Sequence, residues 1–512
     1  MQSIVSTILL FLQNNILALG ILLPLLIAVL IFVFARHRAK VAITFSILAI
    51  LLSISLIFFR GLELIPFVPS SPSFVLETFL WIPTLNIAFN FMVDGLNFPI
   101  ILTTAIITIF IILYSRNYFS NGQQHGTYYA SILFLFSGMV GVFAAADLFL
   151  FYLFWEITII PAFFLLIFWR EEDIPKVDAR KTGMKFFLWT HVGSLILLMG
   201  IVLVVMLTGT NNIIDLPAAI AGVGMTSLHL LQFAAAAMIF GFIVKLGIFP
   251  VHSWLPDTYV QAGSPVTALI GGLLANIGAY GLIRLVIGLF PSIVVAWTIP
   301  LGVLGVISII YGGYIALGQS DLKRRWAYSS ISQGGYILLG VASISVLGIA
   351  GAALFIINSA ILKSALFLTT GTYLMILKTT DTDSLRGMGT RMPITGITFL
   401  FAALGTAGIP PLNGFISEIL IFFGIFTVSN AIIVAIIAAL AIIWTFAYVL
   451  GPIYKLFVSP PEIEHHKAQD SKLWQTTPFT LLSLLILVLG IWPEIALTPI
   501  AHWLNSLTLG GP

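Results

Sequence analysis

Apolar runs about twenty residues long recur from one end of this 512-residue chain to the other, separated mostly by short polar stretches. A run of that length matches the hydrocarbon thickness of a bilayer. Hydrophobic residues make up 60% of the chain and Asp, Glu, Lys and Arg together 8%, against about 25% charged residues in soluble domains. Such a composition lacks the polar residues to cover a water-facing surface. Inside lipid every backbone N–H and C=O has to bond within its own segment or a closed sheet, which leaves helices or barrels. The runs are too long for barrel strands and do not alternate. The expected fold class is an all-α polytopic membrane protein with about 14 transmembrane helices. The chain has no cysteine, which excludes disulfides, thiolate zinc sites and cysteine-ligated iron–sulfur clusters. Its first residues lack a basic region and run on into a full span, so no cleavable signal is expected.

The spans are expected near 15–35, 41–59, 96–115, 128–146, 148–169, 183–208, 230–250, 264–289, 294–317, 326–347, 350–376, 394–428 (interrupted), 431–454 and 477–493. Charge placement tests this count. With fourteen spans the loops of one side hold nearly all the bases, from Arg36 to Lys472, and the other side holds Arg60 alone. The positive-inside rule then puts the basic loops in the cytoplasm and both termini outside. Arg284, Lys323, Arg324 and Arg325 fall near helix ends and are expected to snorkel to the interface. The longest polar stretches are about 60–94, outside, and about 456–475, inside; His465 and His466 in the latter are read as part of a solvated loop.

Two spans contain breaks, VKLGIFPVHSWLPD with Pro250 and Pro256, and GTAGIPPLNGFISE with Pro410 and Pro411. Proline removes a backbone donor and clashes with the preceding turn. Opened backbone at membrane depth is tolerated only against protein or a water-filled cavity. Gly247-Ile248-Phe249-Pro250 matches Gly408-Ile409-Pro410-Pro411, and an acid stands seven residues after the final proline of each, Asp257 and Glu418. Paired interrupted helices are the sequence mark of inverted-repeat transporters.

Four charges lie deep within apolar runs: Glu156, Lys245, Lys363 and Glu418. Asp147, at the start of its helix, can reach the interface; Glu156, nine residues or roughly 13 Å further on, cannot. A charge at bilayer depth costs roughly 2.5–3.5 kcal/mol by insertion scales and marks an ion or proton pathway. Burial favours the neutral form of either residue type, and an opposite charge restores the ionised form. At about 4 Å and an effective dielectric near 20 that attraction is about 4 kcal/mol, or about three pKa units. Lys245 beside Glu156 would hold its proton and Lys245 deserted by Glu156 could release it, so a motion that parts them becomes a pump stroke. A static structural ion pair is the competing reading. His191, His252, Gln333, Asn358 and Ser359 are polar residues that can wire these groups through water, or act as helix–helix glue.

DLFLFYLFWEITIIP, KFFLWTHVGS, VKLGIFPVHSWLPD, DLKRRWAYSSISQGGY and GIPPLNGFISE, in this order, resemble the antiporter-like subunits of respiratory complex I. The nearest type is the M subunit, which corresponds to mitochondrial chain 4, and the likeness runs from about Asp94 to about Lys455. The same superfamily includes the large subunits of Mrp-type antiporters and of membrane-bound hydrogenases. The resemblance implies fourteen helices in two inverted five-helix repeats, each with one discontinuous helix. It divides the chain into helices 1–3 (1–127), a first repeat (128–290), a second inverted repeat (291–455) and a cytoplasmic loop with helix 14 (456–512). It assigns proton transfer to Glu156 on the fifth helix, its partner Lys245 on the seventh and Glu418 on the twelfth.

Two departures stand out. The family's central lysine on the eighth helix is replaced by Asn276, which cannot hold a transferable proton, so Lys363 is expected to take its place, with Asn276 and water bridging. The M type commonly has histidine where Tyr259 stands, and the SPVTAL run after it leans towards the Mrp and hydrogenase branch. The expected function is a proton-translocating membrane-arm subunit of an NADH (or other donor):quinone oxidoreductase, in a hetero-oligomer in the cell membrane. The alternatives are an Mrp-type sodium/proton antiporter or hydrogenase-type subunit, and a non-pumping spacer. The chain carries no dinucleotide fingerprint and no credible haem pair, so flavin, iron–sulfur clusters and quinone are expected in partner subunits, with no redox cofactor, metal or nucleic acid bound here.

Overall fold

The computed structural model describes residues 15–62, 74–82, 87–116, 118–119, 125–171, 178–461 and 468–507. His465 and His466 lie outside them. The first helices run in sequence as α1 (Ile16–Phe34), α2 (Ala39–Gly61), α3 (Asn97–Ser115), α4 (His125–Ala144), α5 (Leu148–Phe168) and α6 (Ala179–Thr208). Then come α7 (Leu228–Leu246), the short α8 (Leu255–Gln261) and α9 (Ser264–Ile287). The second half holds α10 (Thr298–Leu317), α11 (Leu322–Ala342), α12 (Val346–Leu377), α13 (Pro393–Thr406), α14 (Asn413–Phe426), α15 (Ile432–Phe457), α16 (Leu473–Ile491) and the amphipathic α17 (Glu494–Asn505). Twelve helices among the described residues are long and apolar enough to cross a membrane. The 21-residue α11 and the broken α13–α14 pair stand where the sequence expects two further spans.

Helix starts follow the capping residues. Asp147 accepts from the N–H groups of Phe149 and Leu150 at the start of α5, at 2.8 and 3.0 Å. Asp147 is fully buried, its carboxylate held by the orphan N–H groups of the first turn. Asp321 caps α11 and Ser345 caps α12 in the same way. Asp470 accepts from Ile394 and Thr395 N–H at 2.8 and 3.1 Å, and so ties the loop before α16 to the N-terminus of α13.

The polar stretch at about 60–94 is not wholly loop. Phe74–Ile82 (β1) and Ile87–Asp94 (β2) pair antiparallel, with Phe74 opposite Asp94. Arg60 at the end of α2 reaches Glu77 of β1 at 2.9 Å, and Glu77 also accepts from Leu17 N–H at 2.7 Å. One acid thus joins the hairpin to α1 and α2.

Both breaks share one backbone device. Gly247 ends α7 with φ 74° and Gly408 follows α13 with φ 65°, the left-handed region that glycine enters without a Cβ penalty. Ile248 N–H then bonds Ile243 C=O, and Ile409 N–H bonds Leu404 C=O, each at 3.1 Å. These are Schellman-type stops. Phe249–Pro250 and Pro410–Pro411 are cis. At the centre of the bundle α9 and α12 are 100% and 89% buried, against 33% for α1, α2 and α16 at its rim. The rim faces carry large exposed apolar side chains, as lipid contact requires.

Replacing Gly209, which has φ 73° and open space for a Cβ, by alanine should cost about 1 kcal/mol of left-handed strain. Gly408→Ala should cost more, because its Cβ would also collide with the Glu418 carboxylate. The thermal midpoints of the two variants in mild detergent check the order.

Candidate functional site

Glu156 sits midway along α5 and turns towards α6 rather than α7. Ser194 Oγ donates to one carboxylate oxygen, and His191 Nδ1 lies 3.6 Å from the other. Its side chain is 28% exposed. Lys245, 2% exposed, faces the same stretch of α5 from α7. Its ammonium donates to Thr158 Oγ1 at 3.4 Å and stands 5.2 Å from the centroid of the Trp155 ring, within cation–π reach. Trp155 and Thr158 flank Glu156 in sequence, yet no ion pair joins Glu156 to Lys245. The lysine occupies the last turn of α7, where the negative end of the helix dipole favours a cation. Gly278 brings α9 against it: a Cβ there would lie 3.3 Å from Lys245 Cβ and 2.6 Å from the Phe242 carbonyl.

From α9 the polar groups continue through α12 to α14. Asn276 Nδ2 donates to the carbonyls of Gly272 and Ile356 at 2.8 and 3.2 Å, and to Ser359 Oγ at 3.2 Å. The next residue back, Asn358, turns the other way and donates to Asn413 C=O at 2.7 Å and Ser417 Oγ at 3.1 Å. Asn413 Nδ2 returns a bond to Asn358 Oδ1 at 3.1 Å. Glu418 follows Ser417 and is 6% exposed, its carboxylate against Gly408 at the second break. Lys363 stands one turn beyond Ser359 on α12 and is 3% exposed. Among the described residues neither Lys363 nor Glu418 has a hydrogen-bond or ion-pair partner.

The remaining expected residues are placed apart from this seam. His252 shares a bond of 3.0 Å with Tyr311 OH beside the first break. Asp257 bridges Lys185 at 2.8 Å and Arg324 at 3.0 Å, so it fastens α8 to α6 and α11. Gln333 is buried on α11 with its carbonyl oxygen unpartnered. The snorkelling expected of the four bases near helix ends does not describe three of them. Arg284 pairs with Asp94, Lys323 with Glu171 at 3.2 Å, and Arg325 donates to the Gln319 and Tyr448 carbonyls at 2.9 and 3.1 Å, all three buried. Each finds a partner inside the protein, and that partner replaces the water an interface would supply. Trp155, Thr158 and Ser194 were not singled out from sequence, since nothing local marks a hydroxyl or indole that works across a helix interface. Asn413 and Ser417 had a signal, because they fill the turn between Pro411 and Glu418.

Residues 145–443 match the profile of the family described as NADH:quinone oxidoreductase/Mrp antiporter, transmembrane. The chain belongs to that family. It is 32% identical to subunit M of an F420H2 dehydrogenase from Methanosarcina mazei, over 93% of this chain and 94% of that protein. It is 33% identical to an NAD(P)H-quinone oxidoreductase chain 4 from Synechococcus, over 82% and 79% of the two chains. Among solved structures it superposes on a chain of respiratory complex I from Thermus thermophilus with TM-score 0.83 and 27% identity, covering 97% and 100%. It superposes on a chain of the Mrp complex from Dietzia with TM-score 0.85 and 22% identity, covering 97% of both, which is a likeness of fold. The family member described here is thus a multi-pass membrane protein of the antiporter-like type.

Asn358→Leu should strip Asn413 Nδ2 of its hydrogen bond and remove those that Asn413 C=O and Ser417 Oγ accept from Asn358, at about 1–3 kcal/mol for a buried group so abandoned. Asn358→Leu should therefore melt well below the wild type in detergent, whereas Gln333→Leu, which breaks no bond found in the structure, should melt near it.

Proposed function

We propose that this chain is a proton-translocating membrane-arm subunit of a complex I-like respiratory oxidoreductase. Glu156, Lys245, Lys363 and Glu418 carry the proton path, and electron transfer in partner subunits drives it. The observation that carries this reading is the seam from α5 to α14, in which Lys363 and Glu418 are buried without a counter-ion among the described residues and Lys245 is buried within electrostatic range of Glu156 but without an ion pair, while hydrogen-bonded Asn276, Ser359, Asn358 and Ser417 run between their helices. A structural ion pair would show the opposite pattern, with each charge neutralised in place. Glu156 and Lys245 are held by different neighbours, Ser194 and His191 for the one and Thr158 and Trp155 for the other. That is the parted state of the pump stroke; closing the pair returns the proton-holding state.

Lys363 takes the central place that Asn276 leaves empty, one helical turn from the Asn276–Ser359 bond. The relatives named as NAD(P)H-quinone oxidoreductase chain 4 and F420H2 dehydrogenase subunit M support an oxidoreductase parent. In that assembly flavin, iron–sulfur clusters and quinone belong to partner subunits, and this chain's neighbours are other membrane-arm subunits. The basic loops face the cytoplasm, and the hairpin with both termini faces outside. Two features favour a second reading, an Mrp-type or hydrogenase-type antiporter subunit: Tyr259 in place of histidine and the run Ser264–Leu269. Sodium dependence of transport separates the two.

In proteoliposomes of the intact complex, Lys245→Ala and Lys363→Met should each lower proton translocation per electron pair at least tenfold, with the subunit still assembled on a native gel. Wild-type coupling in both variants would make the charges static and the chain a spacer.

A further inference from the structure

One face of α9 carries polar groups from the bundle centre to the hairpin side: Asn276, Tyr280 and Arg284, four residues apart. Asn276 and Arg284 are roughly 12 Å apart along the helix. Arg284 lies in a π-helical stretch, Leu282–Ile287, of the kind often found at functional sites. It grips Asp94, the last residue of β2, with both terminal nitrogens at 2.7 Å each. Its Nε donates to Tyr280 OH at 2.9 Å, and Tyr280 donates to Phe143 C=O at 2.7 Å. Trp503 of α17 closes over the guanidinium at 5.1 Å.

A cavity borders this ion pair, and a small void lies further along the same helix beside Asn276. Towards the centre, Asn276, Thr104 and Phe143 line a void of about 10 Å³, near the lower bound for one water. On the outer side Asp94, Arg284, Met92, Pro217, Trp503 and Ser506 line a cavity of about 170 Å³. With a carboxylate and a guanidinium in its wall, a cavity of that size has room for several waters at roughly 30 Å³ each. A tether between β2 and α9 accounts for the pair. It does not account for the polar groups spaced along α9 between Asn276 and the pair, or for a cavity with room for water behind it.

We propose that Asp94, held by Arg284, is the proton-carrying group of a release path along α9 that opens to the outer face through this cavity. The inference rests on the proton-translocation reading above. A hydronium that has come along α9 to the carboxylate gives its proton to Asp94: one O–H bond breaks in the hydronium and one forms on the carboxylate. The neutral acid loosens its hold on Arg284, which stays protonated throughout. A water in the outer cavity then takes the proton from Asp94, becoming hydronium, and the restored carboxylate closes on Arg284 again.

Asp94→Asn keeps a cap acceptor for Leu96 and Asn97 N–H but removes the proton carrier. Gly288→Leu puts a side chain into the cavity from a position where a Cβ meets only Ile283 C=O, at 3.9 Å. In proteoliposomes of the intact complex, Asp94→Asn should lower protons translocated per electron pair at least tenfold. Asp94→Glu should recover much of that, and Gly288→Leu should cause a several-fold loss with the ion pair untouched. Wild-type ratios for Asp94→Asn and Gly288→Leu, with Lys245→Ala inactive, overturn the release path and leave the translocation reading standing. Wild-type ratios for Lys245→Ala as well overturn both. A loss in Asp94→Asn that Asp94→Glu does not relieve, with Gly288→Leu at the wild-type ratio, makes the pair a tether and overturns the proposal. If Asp94→Asn does not assemble, Gly288→Leu decides alone.

Discussion

A charge removed from water has to be held by something in the protein, and the rest of this structure is arranged around where that holding is complete and where it is not. Towards the ends of the bundle it is complete. Arg284 is matched to Asp94, Lys323 to Glu171, Arg60 to Glu77, and Asp257 to Lys185 and Arg324. Losing one member of the buried pairs Arg284–Asp94 or Lys323–Glu171 leaves the other stranded at about 3–5 kcal/mol, whereas the partly exposed Asp257 pairs hold more weakly. Along the central seam it is incomplete. Lys245 has a hydroxyl, an indole face and Glu156 within electrostatic range but no ion pair, and Lys363 and Glu418 have neither hydrogen bond nor counter-ion among the described residues. Groups left in that condition are poised to change protonation when a neighbour moves.

The broken helices make the incomplete part possible. A continuous helix would bury its own carbonyls. Stopping α7 at Leu246 puts the negative end of its dipole at the turn that carries Lys245. The second stop, at Gly408, leaves room for a carboxylate where any side chain at that position would collide with it. Each break thus has an ionisable group beside it, a base at the first and an acid at the second, although the two backbone turns are alike.

Much of the fold was legible because membrane burial writes itself into long apolar runs, and the proline pairs located both breaks. Glu156, Lys245, Lys363 and Glu418 were legible for the same reason, as isolated charges that lipid cannot solvate. What sequence did not carry was direction across helices. Nothing local says that Glu156 turns to Ser194 and His191, or that Asn358 and Ser359, adjacent in the chain, bond to opposite neighbours. Arg284 looked like an interfacial anchor because its partner Asp94 is 190 residues away. The hairpin was missed because its strands lie in a stretch notable mainly for its polarity.

Helix α12 runs 32 residues through the bundle, roughly 48 Å of unbroken rod. Along it sit the Ile356 carbonyl and Ser359 that hold α9, Asn358 that holds α14, Lys363, and the Leu368 carbonyl and Thr372 that receive Tyr114 of α3. A rod gripped at so many points cannot twist for one neighbour alone. A small turn of α12 would shorten its bonds on one flank while stretching those on the other, so the two halves of the protein share a single shaft and its torque.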